Sequence, residues 1–87
     1  MRKICMAGEV VEFAFNKPAI EYRVKNFTDG DILVTHEVGL VEADASKIKS
    51  MHGEDFSVSE FESQSKPLTV CVKAEQTGEV EVSLTKF

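Results

Sequence analysis

Strict alternation of apolar and polar residues is the feature that most constrains this chain. Ile20, Tyr22 and Val24 interleave with Glu21, Arg23 and Lys25, which is the period of a strand with one buried face. The same rhythm runs through Val11, Phe13 and Phe15 and through Ile32, Val34, His36 and Val38. It returns in Leu68, Val70, Val72 and Ala74, and again in Val80, Val82 and Leu84. Shorter candidates are Lys3 to Met6, Lys47 to Met51 and Asp55 to Ser59. About eight short strands separated by turn residues predict an all-β fold, a small antiparallel β-sandwich or jelly-roll-like barrel. The 87 residues are expected to form a single β-sandwich domain. The one segment with helical spacing, Val41 to Met51, offers at best a short turn of helix.

Turn chemistry adds expectations about register. If Asp29-Gly30 were a two-residue hairpin turn, Val24 would face Thr35 and Tyr22 would face Glu37, mixing apolar with polar residues. A three-residue loop, Thr28-Asp29-Gly30, instead sets Val24 against Val34, Tyr22 against His36 and Ile20 against Val38. Gln76-Thr77-Gly78 repeats this, pairing Ala74 with Val80, Val72 with Val82 and Val70 with Leu84. Two hairpins are therefore expected, each ending in a glycine of positive φ, Gly30 and Gly78. The polar run Ser57 to Lys66 is expected to be partly surface loop, with Pro67 opening the strand that follows.

Charge and residue types narrow the function. A net charge of −5 with scattered lysines and arginines argues against nucleic acid as a partner. No apolar run is long enough to span a bilayer, and Gly8-Glu9 breaks the N-terminal apolar stretch short of a signal sequence. The chain is thus expected to be made in the cytoplasm and to have no membrane partner. Cys5 and Cys71 are expected to be reduced, packed as small hydrophobes.

Several candidate sites have simpler structural readings. Asp29 and Asp31 flank a glycine, but a calcium loop would offer more oxygens at fixed spacing. A zinc site would have to gather Cys5, Cys71, His36 and His52 from separate elements. His36 is better read as a partly buried histidine facing Tyr22, and His52, beside Gly53, as a turn residue. Cys71 sits mid-strand on the face opposite Val70 and Val72, which is poor placement for a nucleophile. Glu9, Glu12, Glu21, Glu79 and Glu81 occupy solvent-facing strand positions. No catalytic, metal or cofactor residues are assigned, and no enzyme is expected. Phe61, in an acidic serine-rich segment, and Phe87 are the candidate interaction surface.

The order "YRVKNFTDGDILV", a loop, two short strands and "LTVCVKAEQTGEVEVSLTKF" resembles small β-rich structural proteins of tailed phages and prophages. Those carry a strand ending near V-K-N, an acidic turn, a strand of the D-I-x-V type and a closing T-G-E-V-E-V hairpin. The resemblance covers residues 19 to 87 as an order of elements. It departs at Met51-His52-Gly53-Glu54-Asp55, where such proteins have a Pro-Ala-Gly-Gly type turn. It implies a non-enzymatic virion component of head-decoration or tail-associated type, with no catalytic or cofactor residues. Other copies of itself, or capsid or tail proteins, would be its partners, with the virion as its destination. An immunoglobulin-like or carbohydrate-binding module is the alternative, weakened by the absence of Trp and the single Tyr. A small metal-dependent enzyme ranks below both.

Overall fold

The computed structural model describes residues 1–36, 45–58 and 67–87. Within them the chain is all-β, with eight strands in two antiparallel four-stranded sheets. The strands are β1 (Arg2–Cys5), β2 (Val10–Ala14), β3 (Glu21–Asn26), β4 (Ile32–Thr35), β5 (Ser46–Ile48), β6 (Gly53–Ser57), β7 (Thr69–Ala74) and β8 (Gly78–Lys86). One sheet runs β1-β8-β3-β6 and the other β2-β7-β4-β5, the connectivity of a jelly roll. Of Val41 to Met51, where at best a short turn of helix is expected, residues 41–44 lie outside the described residues; Ser46–Ile48 form β5, overlapping the strand expected over Lys47 to Met51, and a bend follows.

Both expected hairpins are corrected. β3 pairs with β6 and β8, and β4 pairs with β5 and β7, so the chain changes sheet between residues 26 and 32. β7 and β8 likewise lie in different sheets. Each connection is an arch between facing sheets. Hydrogen-bond partners come from far along the sequence: Val24 aligns with Val82, and Val34 with Val72. An arch, like a hairpin, brings the apolar faces of its two strands to a common core, so Val24, Val34, Val72 and Val82 all point inward. Alternation is the same for strands that lie side by side and strands that lie face to face. Only β4 and β5, among the described strands, are neighbours both in sequence and in a sheet.

The core collects the alternating residues of both sheets. Phe13, Tyr22, Val24, Ile32, Val34, Val70, Val72, Val80 and Val82 are all essentially inaccessible. Each such side chain contributes about 1.5–3 kcal/mol relative to an exposed position. Cys5 belongs to this core, and burial pushes its thiol pKa up, with nearby Lys3 partly opposing. Cys71 is also fully buried, and the two cysteines form no disulfide.

Tyr22 anchors the core at the end of β4. Its hydroxyl lies 3.0 Å from His36 Nδ1, and its ring stacks on Phe56 with centroids 5.3 Å apart. The expected Tyr22–His36 contact therefore forms, across the interior rather than along a ladder. Burial, and secondarily the Cys71 thiol, raise the Tyr22 pKa well above its ordinary 10.0. A raised folded-state value means that stability is intact below the unfolded pKa and falls as pH climbs past about 10. Tyr22 is the only tyrosine and there is no Trp. Tyrosinate absorbance should therefore stay absent in the folded protein above that pH and appear together with loss of the far-UV β signal. Titration at an ordinary pKa with the fold intact would contradict this placement.

Candidate functional site

Four arches stand side by side at one end of the sandwich, joining β1 to β2, β7 to β8, β3 to β4 and β5 to β6. Main-chain and side-chain hydrogen bonds tie neighbouring arches into a belt. Gly8 N–H donates to the Ala74 carbonyl (2.9 Å), and Ala7 N–H to Thr77 Oγ1 (3.0 Å). Phe27 N–H donates to the Glu79 carbonyl (3.0 Å), and Glu75 N–H to the Asp31 carbonyl (3.1 Å). Asn26 N–H donates to the His52 carbonyl (2.9 Å), and Ser50 Oγ to the Thr28 carbonyl (2.6 Å).

The stretch Asn26-Phe27-Thr28-Asp29-Gly30 builds the central arch from the inside. Asn26 is 1% exposed, and its Nδ2 donates to the carbonyls of Gly30 (2.9 Å) and Ile48 (3.2 Å). Its Oδ1 accepts from the Thr28 amide (2.9 Å) and lies 2.7 Å from the Thr28 hydroxyl. One buried amide thereby satisfies main-chain groups of two adjacent arches. Sequence reasoning missed Asn26 and Thr28. A signal was present in the polar Asn26 and Thr28 continuing the inward parity of Tyr22 and Val24.

The glycines of the two mistaken hairpins need a different explanation. Neither Gly30 nor Gly78 has a positive φ; among the described residues only Gly8 (φ 80°) and Met51 (φ 60°) do. A Cβ on Gly78 would sit 2.8 Å from Thr28 Cγ2 and 2.9 Å from its Cα. One on Gly30 would sit 2.8 Å from Gln76 Cγ. Close approach of adjacent arches, rather than turn conformation, constrains these positions, tightly at Gly78 against Thr28 and loosely at Gly30 against the exposed Gln76 side chain.

The arched end also carries exposed apolar side chains. Met6, on the first arch, is 51% exposed, and Met51, at the tip of the fourth, is 62% exposed in a left-handed conformation unfavourable for a side chain of its kind. Phe27 is partly exposed beneath the Arg2 guanidinium, 4.3 Å from the ring centroid. Arg2 also forms an ion pair with Glu79 at 2.7 Å. On the same sheet's outer face, Arg23 and Asp55 make a two-pronged pair (2.7 and 3.3 Å), which raises the arginine pKa and lowers that of the carboxyl.

The residues singled out from sequence are scattered. Phe87 is 68% exposed, with Lys17 Nζ 4.3 Å above its ring, and Phe61 lies outside the described residues. His52 stands on the fourth arch, its Nδ1 2.8 Å from the Ser50 carbonyl, whereas His36 follows β4 at the opposite end of that strand. The four residues of the zinc reading therefore have no common site. Asp29 is exposed at an arch tip, while the Asp31 backbone carbonyl is engaged by Glu75. No group of three or more His, Cys, Asp or Glu among the described residues is placed to hold a metal ion. No helix among them is long and apolar enough to cross a membrane. No family model, curated protein or solved structure matches the chain.

Proposed function

We propose that this chain is a non-enzymatic structural or assembly protein, a component of a tailed-phage or prophage virion that works through protein–protein contacts. The observation that carries this reading is the arched end, where Met6, Phe27 and Met51 are exposed on a hydrogen-bonded belt. Apolar side chains presented on a hydrogen-bonded frame are suited to docking against protein. The sequence resemblance supports the same class. Jelly-roll connectivity is compatible with it, occurring in capsid proteins and lectins alike, and adds support only by analogy. The carbohydrate-binding alternative loses its one tyrosine as a sugar platform, since Tyr22 is 1% exposed and stacked on Phe56.

The partners under this reading are other copies of the chain, or capsid or tail proteins. Particles purified from an induced host should contain the protein at a fixed stoichiometry, detected by mass spectrometry, and capsid or tail genes should flank its own. A strictly monomeric solution mass together with absence from particles would overturn the proposal.

A further inference from the structure

The four outer strands differ in how well their open edges are guarded. β5 is only three residues long. On β6, the bonds from Asn26 N–H to the His52 carbonyl and from Val58 N–H to the Ile20 carbonyl turn the main-chain groups of Gly53, Asp55 and Ser57 outward. That edge carries Glu54 and Asp55, charges that discourage strand addition. On β2, Lys3 reaches across from the facing sheet, and its Nζ donates to the Glu12 carbonyl at 2.7 Å. β1 carries Arg2 and Lys3, but Arg2 is held by Glu79 and Lys3 by the Glu12 carbonyl, and among the described residues no side chain covers its open main-chain groups. Met1 and Val82 exchange both main-chain bonds (2.7 and 2.8 Å), so Lys3 and Cys5 also face β8, and Arg2 and Ile4 turn their N–H and C=O groups to the open edge.

Beyond the basic Arg2 and Lys3, the exposed side chains along this edge are apolar. Ile4 is 64% exposed, and Met6, just past the strand, is 51% exposed. Ile4 also aligns with Glu79, whose carbonyl accepts from Phe27, so Ile4 and Phe27 flank Glu79 in one cross-strand row. Arg2 is neutralised by Glu79 and stacked on Phe27. An edge strand with an exposed apolar side chain and outward-turned main-chain groups is suited to another strand.

We infer that β1 pairs antiparallel with β1 of a second copy across a two-fold axis, joining the two β1-β8-β3-β6 sheets into one continuous eight-stranded sheet. Self-complementarity selects the register. With Ile4 opposite the partner's Ile4, Arg2 meets Met6 and Lys3 meets Cys5, and no like charges oppose each other. Centring the pair on Lys3 would set two lysines face to face, and centring it on Arg2 would do the same with arginines. This inference rests on the protein-contact reading above and specifies its self-association.

The test is solution mass together with site-directed cross-linking of the full chain. The wild type should run at twice 9.7 kDa. Ile4→Lys, which places two charges on the axis while altering a side chain already exposed in the monomer, should run at 9.7 kDa with an unchanged circular dichroism spectrum. Ile4→Cys should form a covalent dimer under mild oxidation, because directly opposed residues with Cα atoms about 5.5 Å apart lie within disulfide range. Asp55→Cys, on the opposite edge, should not. A dimer that survives Ile4→Lys, or one that cross-links through Asp55→Cys, would overturn the β1 pairing and leave self-association standing. A monomeric wild type still incorporated into particles would overturn the pairing and leave the structural-protein reading intact.

Discussion

Gly78→Ala is expected to cost about 2 kcal/mol or more, read as a lower urea midpoint at unchanged slope. The added methyl would fall 2.8 Å from Thr28 Cγ2 and 2.9 Å from Thr28 Cα. Thr28 cannot retreat easily, because it is buried and its amide, hydroxyl and carbonyl are engaged by Asn26 and Ser50. Gly30→Ala makes the informative contrast. Its nearest obstacle is the Cγ of Gln76, an exposed side chain free to change rotamer, so the cost should stay below ~1 kcal/mol. Gln76→Ala should remove most of that smaller penalty. If positive φ were the requirement, Asn would be tolerated better than Ala at both glycines and Gln76→Ala would bring no relief. That pattern would refute the stacked-arch explanation.

Asn26→Ala should destabilise by about 3 kcal/mol, because it strips buried main-chain groups of their partner without replacing it by water. The Thr28 amide loses its acceptor, and the carbonyls of Gly30 and Ile48 lose a shared donor. Asn26→Asp separates the two halves of this role. The carboxylate can still accept from Thr28 but would oppose the two carbonyl oxygens in a nearly inaccessible site. Burial would raise its folded-state pKa above the ordinary carboxylate value, so the variant should be most stable in acid and lose stability as pH rises from about 4 towards 7. Melting temperatures across that range decide the matter. A flat profile would show that Asn26 is solvated and the arch held by other bonds.

Both predictions concern residues whose role was hidden in the sequence for physical reasons. Asn26 and Thr28 sit at inward parity but end a strand, where polar residues ordinarily meet water; only the packed fourth arch, which brings the Ile48 carbonyl and Ser50 to them, makes them interior. Gly30 and Gly78 are conspicuous in the sequence, yet the atoms that a Cβ there would meet belong to an arch some 45 to 50 residues away in the chain. Ile4 and Met6 looked like members of a weak strand. Their exposure follows from β1 being an outer strand, which depends on sheet order. Of the two surface candidates taken from the sequence, Phe87 is indeed exposed, but it does not belong to the arched end.

The sequence by itself determined which side of each strand is buried. Alternation is a local property: side chains point up and down from the pleat, so the apolar set of Tyr22, Val24, Val34, Val72 and Val82 declares its face whatever the strand pairs with. Hydrogen bonds leave a strand at right angles to its side chains, and no pattern in one strand specifies which neighbour receives them. That choice fell to the tertiary structure. Two sheets must close on each other to bury both apolar faces, so β3 and β4, like β7 and β8, end up facing across the core while their ladders are completed by distant strands. The stretch Asn26 to Gly30, legible as a bend, became an arch held from within because the sheets it joins had to be stacked.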